Sequence, residues 1–401
     1  KWVMYMNYQD KLEKLLERYK QTDHYDHILY EYGLGALYRF QGKQKKAIEM
    51  YKQIIKNNPN LHYPRFDLSM MLFEDKQYNE AKSEFEIVRP FLPTQIQGLI
   101  DQLLTTMKKS QDWQPTVNFN FEKTDNVNQS SNIKEISIGD ATFIRDEESL
   151  PKKAKGLGYT LNASREKNMM SNHYAYFSAT FNGINYWDNK DYSEQTIRID
   201  TGYKYKDLKQ SFGIIPFIGQ NILGNSRYSN NYGTGLEYNR LLSNRLQVSA
   251  NTTHIQKRYQ DSSLAQYYDG HSNSQAALVM YQPKSKILIY SGVDWMQDRL
   301  ADQAESSNRQ GIRSGFLYFG ESLGISGNIR YSQRNFLADN IWYGIHRKDN
   351  EYELGVAAWR KQWQWKGFTP KLNYRYQKIE SNLPLYERNN STFFMTIDKI
   401  F

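Results

Sequence analysis

Lys109-Ser110-Gln111-Asp112-Trp113-Gln114-Pro115-Thr116-Val117-Asn118-Phe119-Asn120-Phe121 carries the reading of the whole chain, because its periodicity changes midway. From Trp113 onward, Trp113, Val117, Phe119 and Phe121 alternate with Gln114, Thr116, Asn118 and Asn120, the period of two that marks a strand. Just before it, Ile96, Leu99, Ile100, Leu103, Leu104 and Met107 recur at three and four, one apolar stripe of a helix. That helix is expected to run from Thr94, as N-cap, to about Lys109. The chain therefore divides into a helical domain over 1–110 and a β domain over 111–401.

The helical part repeats itself. Leu34, Gly35, Tyr38, Ala47, Tyr51 and Pro59 return 34 residues later as Leu68, Ser69, Leu72, Ala81, Phe85 and Pro93. This is the tetratricopeptide spacing, in which small residues let two helices approach and a proline stops the second. Two repeats alone do not bury a continuous core, so neighbouring helices must help. One is Asp10–Tyr19, with Leu12, Leu15, Leu16 and Tyr19 on one face. The first helix of each repeat lines the concave face of such a pair. That puts Tyr32, Arg39, Tyr63, Phe66, Met70 and Phe73 in a candidate partner-binding groove, residue types common at binding hot spots. Phe66 and Phe73 have a plainer alternative, packing against the next helix.

Beyond Trp113 the alternation recurs, with Ile197, Ile199, Tyr203 and Tyr205 against Arg198, Asp200, Lys204 and Lys206, and with Leu372, Tyr374 and Tyr376 against Lys371, Asn373, Arg375 and Gln377. No helical pattern follows to cover the apolar face. Strands with one apolar and one polar face, about ten residues long, fit a closed barrel with a polar lumen and a lipid-facing belt. Fourteen segments are expected, with 133–143 left in the first long loop because including it breaks the alternation of short and long connections. Short turns are expected near 168–172, 206–207, 242–244, 283–285, 321 and 363–365. Long loops are expected near 188–190 (itself brief), 219–230, 260–271, 298–306, 334–348 and 380–390. The fold class is thus an N-terminal tetratricopeptide-like helical domain followed by a 14-stranded antiparallel transmembrane β-barrel. Short turns belong to the periplasm, which puts both barrel ends and the helical domain on that side. Tyr186 and Trp187, Tyr267 and Tyr268, Trp342 and Tyr343, and Trp363 and Trp365 are candidates for interfacial girdles.

Composition agrees. The 401 residues are 39% hydrophobic yet 15% aromatic, which argues against global disorder. A mean hydropathy of −0.79 excludes a helical membrane bundle but not a barrel. The net charge of +9 is spread along the chain without a basic block, so no nucleic-acid partner is expected. There is no cysteine, hence no disulfide or thiolate metal site. The chain starts at Lys1 and not at Met, which fits either a mature chain after removal of a signal peptide or a trimmed one.

Chemistry is sparse. His24 and His27 lack acidic partners at ligand spacing, and no metal or cofactor is expected. Gly324-Ile325-Ser326-Gly327 falls short of a nucleophile elbow, and Gly233-Thr234-Gly235 lacks the third glycine of a nucleotide loop. His254 and His271 flank a loop holding Asp261 and Asp269, the one weak hint of a rim catalyst; the chain is expected not to be an enzyme. In the lumen, Arg198, Lys204, Lys206, Arg245, Arg313, Arg330, Lys371 and Arg375 are expected to face Asp200, Glu237 and Glu353. Two readings stand for this set, a solvated wall or a weakly adhesive surface for a passing chain.

The last strand, Ser391 to Phe401, puts Phe393, Met395, Ile397 and Phe401 on one face and ends at an aromatic carboxylate. Such an ending is similar to the signal read by the barrel assembly machinery. Its meeting with the first strand, through Trp113, Val117, Phe119 and Phe121, is the one seam not made by a hairpin and the candidate gate.

Several runs extend the likeness across almost the whole chain: Tyr38-Arg39-Phe40-Gln41-Gly42, Ala47-Ile48 with Tyr51, Arg65-Phe66-Asp67-Leu68, Leu72-Phe73-Glu74-Asp75, Asn172-His173-Tyr174, Tyr186-Trp187-Asp188-Asn189, Asp191-Tyr192 and Lys399-Ile400-Phe401. Together they resemble the surface lipoprotein assembly modulator family of outer-membrane translocons, the type XI secretion system. The resemblance implies export of client proteins, either surface lipoproteins or secreted haemophores. It also implies periplasmic chaperones as helpers, the barrel assembly machinery during biogenesis, and outer-membrane lipid as surroundings. The helical part is short for that family, and an additional N-terminal segment is expected. A diffusion channel with a partner-binding repeat domain is the alternative.

Overall fold

The computed structural model describes residues 2–365 and 368–400, with side chains described over 10–360, 362–365 and 368–397. Six helices come first: α1 (Trp2–Lys20), α2 (His27–Phe40), α3 (Gln44–Asn57), α4 (His62–Glu74), α5 (Tyr78–Val88) and α6 (Thr94–Gln111). The strands follow: β1 (Gln114–Thr124), β2 (Glu135–Ile138), β3 (Ala141–Ile144), β4 (Ala154–Met170), β5 (His173–Tyr186), β6 (Glu194–Lys206), β7 (Gln210–Leu223), β8 (Ser226–Ser243) and β9 (Leu246–Tyr259). After a short α7 (Ser262–Tyr268) come β10 (Gly270–Lys284), β11 (Ile287–Leu300), β12 (Ser307–Phe319), β13 (Leu323–Asp339), β14 (His346–Arg360), β15 (Thr369–Ser381) and β16 (Arg388–Ile400).

The chain separates into two compact units. One holds residues 1–112 together with the strand ends and turns at 166–175 and 204–210; the other holds 113–165, 176–203 and 211–401.

In the helical unit the repeat positions form the core. Ala47, Leu68, Ser69, Leu72, Ala81 and Phe85 are essentially inaccessible. Gly35 is buried against the Tyr51 ring, and a Cβ there would overlap the ring edge, so only glycine allows α2 and α3 this approach. Thr94 opens α6 rather than capping it; Pro93 stands at the cap, its fixed φ suiting an extended entry. On α1, Leu16 is buried but Leu15 is 63% exposed, so the apolar stripe there is narrower than its spacing suggests.

The α4–α5 turn is locked by polar contacts to the two strand turns of the same unit. Asn172 donates to the Asp75 carbonyl at 2.6 Å, and the Asp75 carboxylate accepts from the Leu208 backbone at 3.2 Å. The Asn79 backbone donates to Asn168 Oδ1 at 2.9 Å, and the Tyr174 hydroxyl donates to the Lys76 carbonyl. Asp75, Asn168 and Asn172 are all buried, so these bonds replace water for each of them.

Strands β1 and β4–β16 close into one antiparallel barrel of fourteen strands. Strands β2 and β3 pair only with each other, as a hairpin within the 125–153 connection. Along each barrel strand, exposed apolar residues alternate with inward polar ones, as in Ile289, Val293 and Trp295 against Tyr290, Gly292 and Asp294.

Three expectations need correction. The long loop expected over 219–230 is a tight turn at Gly224 and Asn225, whose φ of 53° and 67° suit a hairpin of the primed type. Strands β7 and β8 therefore run on past the apolar belt, where polar side chains had read as loop. A helix, α7, does occur after residue 113, capped by the Asp261 side chain. Arg245 lies in the turn between β8 and β9, not on the lumen wall.

Candidate functional site

The barrel offers two features of functional interest, its lumen and its closing seam. At the seam, β1 pairs with β16 from Thr116 opposite Ile400 to Thr124 opposite Thr392. Phe119 faces Ile397, Phe121 faces Met395 and Lys123 faces Phe393, all turned outward. Trp113 is also exposed, and Val117 lies opposite Lys399. Phe401 lies outside the described residues. One end of the seam is tied by side chains: Thr124 donates to Asn390 Oδ1 at 2.7 Å, and the Ser391 backbone donates to Asp125 at 2.9 Å. On its other edge β1 pairs with β4 over Gln114–Thr124, joined only through the 125–153 connection. Thus neither edge of β1 is held by a tight hairpin.

Inside, the wall from β11 to β14 carries an interlocked charge network. Arg330 pairs with Asp294; Arg309 lies 3.7 Å from both Asp294 and Glu351. Arg334 binds Glu351 at 2.6 Å and Asp298 at 3.2 Å. Nearby, Arg347 pairs with Asp349 at 2.5 Å and is held between the rings of Phe336 and Tyr386. Of the lumen residues expected from sequence, Arg313, Arg330 and Glu353 line one cavity of about 430 Å³. Arg198 and Asp200 pair with each other on β6. Lys204 and Lys206 belong instead to the helical unit, where both pair with Glu166 of that same unit. The sequence reading missed Arg309, Arg334, Asp294, Asp298 and Glu351. Their inward parity on β11–β14 was the available signal.

A larger cavity, about 600 Å³, lies against β1, β4–β8 and β15–β16. Its lining is rich in amides, among them Asn120, Asn126, Asn182, Asn221 and Asn390, with Glu122, Glu194 and Arg375. Tyr186 belongs here. It is buried and donates to Glu122 at 2.9 Å, so it is not part of an interfacial girdle. Trp187 is exposed and stacks on Phe121 at 5.7 Å. Tyr268, the last residue of α7, packs on Tyr259 at the end of β9.

In the helical unit, most of the expected groove residues are engaged within the fold. Tyr32 donates to Asp67, and Arg39 pairs with Glu74 at 2.5 Å. Phe66 packs toward Phe85, Phe73 stacks on Tyr78 at 5.7 Å, and Met70 lies against the core. Tyr63 is 59% exposed. The residues weighed as a weak hint of a rim catalyst have these partners: His254 bonds Asn273 at 2.7 Å, Asp261 caps α7, and Asp269 accepts from the Tyr259 backbone.

The model of the family described as surface lipoprotein assembly modifier matches residues 113–401. The chain belongs to this family. A second model, described as the N-terminal TPR repeats of the surface lipoprotein assembly modifier, matches residues 3–85. A surface lipoprotein assembly modifier of Pasteurella multocida is 28% identical, covering 94% of this chain and 77% of that one. Surface lipoprotein assembly modifier 2 of Haemophilus influenzae is 27% identical over 100% of this chain and 83% of its own length. The hemophilin secretion modulator of Acinetobacter baumannii is 25% identical, covering 94% and 80%. In this family member, helical repeats precede a closed fourteen-stranded barrel with an apolar exterior, the fold of an outer-membrane barrel protein.

Proposed function

We propose that the chain is an outer-membrane translocon. Its periplasmic repeats capture a client, a surface lipoprotein or a haemophore-like protein, and the barrel passes it outward through the lumen or the β1–β16 seam. The observation that carries this reading is the position of β1, which has no tight hairpin on either edge. Such a strand can part from a neighbour without breaking a turn. The amide-lined cavity beside it supports the same reading, because each amide offers a donor and an acceptor to a passing backbone. Chaperones deliver the client, and folding outside draws it forward.

The test uses the absence of cysteine. Phe119 and Ile397 sit opposite each other across the seam, and F119C with I397C creates one disulfide there. Surface and supernatant proteomes are compared for cells lacking the gene, cells with the wild type, and cells with the locked and reduced variant. Loss of one or two proteins without the gene, with their accumulation in the periplasm, is the expected result. Normal export by the oxidised variant would exclude the seam and leave the lumen. An unchanged proteome without the gene would favour the rival, a diffusion channel, which the polar cavities also suit; large, steady openings in a planar bilayer would then be seen.

A further inference from the structure

Lys123 and Lys155 face each other directly across β1 and β4. Both share the outward face with Phe121 and Leu157, the next pair down the same strands. Like charges directly opposite on adjacent strands destabilise a sheet. Neither ammonium group has an ion-pair partner among the described residues. The Asp188 carboxylate accepts from the Lys155 backbone N–H at 2.9 Å, and the Asp125 carboxylate accepts from the Ser391 backbone. Lys153, two residues before Lys155, is exposed as well. Phe393 lies level with Lys123 across the seam, and below the two lysines lie Phe121 and Leu157, with Trp187 stacked on Phe121; all four of these apolar side chains are exposed.

We infer that this pair is the headgroup site of a phosphorylated glycolipid of the outer leaflet. Two unneutralised ammonium groups above an apolar wall match a lipid with phosphate at its head and acyl chains below it. A small free anion would satisfy the charges but leave the aromatic wall without a role. A phosphate between the two lysines also clamps β1 to β4, so the strand keeps that neighbour when the opposite edge parts. The inference rests on the outer-membrane orientation proposed above, in which the 125–153 connection lies outside.

The whole purified chain in detergent is titrated with bis-phosphorylated lipid A, and bound lipid is counted by native mass spectrometry. Dephosphorylated lipid A is the second probe and inorganic phosphate the competitor. The wild type should prefer the phosphorylated lipid, and K123Q with K155Q should weaken it roughly 10- to 30-fold, as removal of two interfacial lysines predicts. Inorganic phosphate should not displace the lipid. Equal binding by the double variant overturns the proposal, as does displacement by phosphate, which would mean a site for free anions. Retained heat-modifiable mobility on gels shows that the variant barrel is closed. Without lipid, the variant should melt at or above the wild-type temperature because a repulsion is gone. A lower melting point would mean the lysines hold the barrel, against the proposal. Labelling of a K153C variant in intact cells reports the orientation separately, so its failure is distinguishable from failure of the site.

Discussion

Asn172 shows what one residue does in this molecule. Its amide reaches both the Asp75 carbonyl and the Lys206 carbonyl, at 2.6 and 2.8 Å. Replacing it with alanine leaves the buried Asp75 carbonyl and the part-buried Lys206 carbonyl short of a donor, at a cost of about 1–3 kcal/mol. Asn172→Ala should therefore lower the melting temperature of the helical signal at 222 nm while heat-modifiable mobility of the barrel persists. Tyr51 gives a pH prediction. Burial raises the hydroxyls of Tyr51 and Tyr32 well above the ordinary tyrosine range, and the Asp67 carboxylate raises Tyr32 further. A raised pKa means that the folded state holds the proton more tightly than the unfolded one. The stabilisation is thus fully present below about pH 10 and is lost as pH climbs beyond it. Helical melts across that range should show this decline, and Tyr51→Phe should flatten it. Asn172 and Asp75 stood within runs that resembled the family, but their contact joins residues nearly a hundred positions apart. No spacing rule gives such a pair.

Among the elements, β1 is the one whose neighbours do not follow from adjacency. The loop expected between β13 and β14 over 334–348 shrinks to residues 340–345, and the two strands pair continuously from Leu323 opposite Arg360 to Asn335 opposite Lys348. The β1–β16 ladder is shorter, Thr116 to Thr124, and its partners are far apart in sequence. Opening it breaks fewer bonds and strains no turn. Hydrogen exchange followed by mass spectrometry should therefore show β1 and β16 losing protection before β13 and β14. Equal protection would argue against a mobile seam. Element lengths were only partly legible. Apolar alternation marks the belt, so strand centres were found, whereas strand ends above the belt carry polar residues on both faces and read as loops. The Gly224-Asn225 turn was hidden for that reason.

Across the whole molecule, the division at Trp113, the 34-residue repeat, the strand count and the polar interior were all legible in the order of residues. Each rests on local periodicity, which is fixed by backbone geometry and by which face meets which solvent. The tertiary structure alone decided which charges share a wall, as Arg309, Arg334 and Glu351 do, and that Tyr186 turns inward to Glu122. It also decided that Lys123 meets Lys155 and that Asp75 meets Asn172. These pairings depend on register and closure, where a shift by one residue exchanges the two faces of a strand. Barrel closure brings together strands from opposite ends of the chain, and no local pattern encodes which of their residues come to lie side by side.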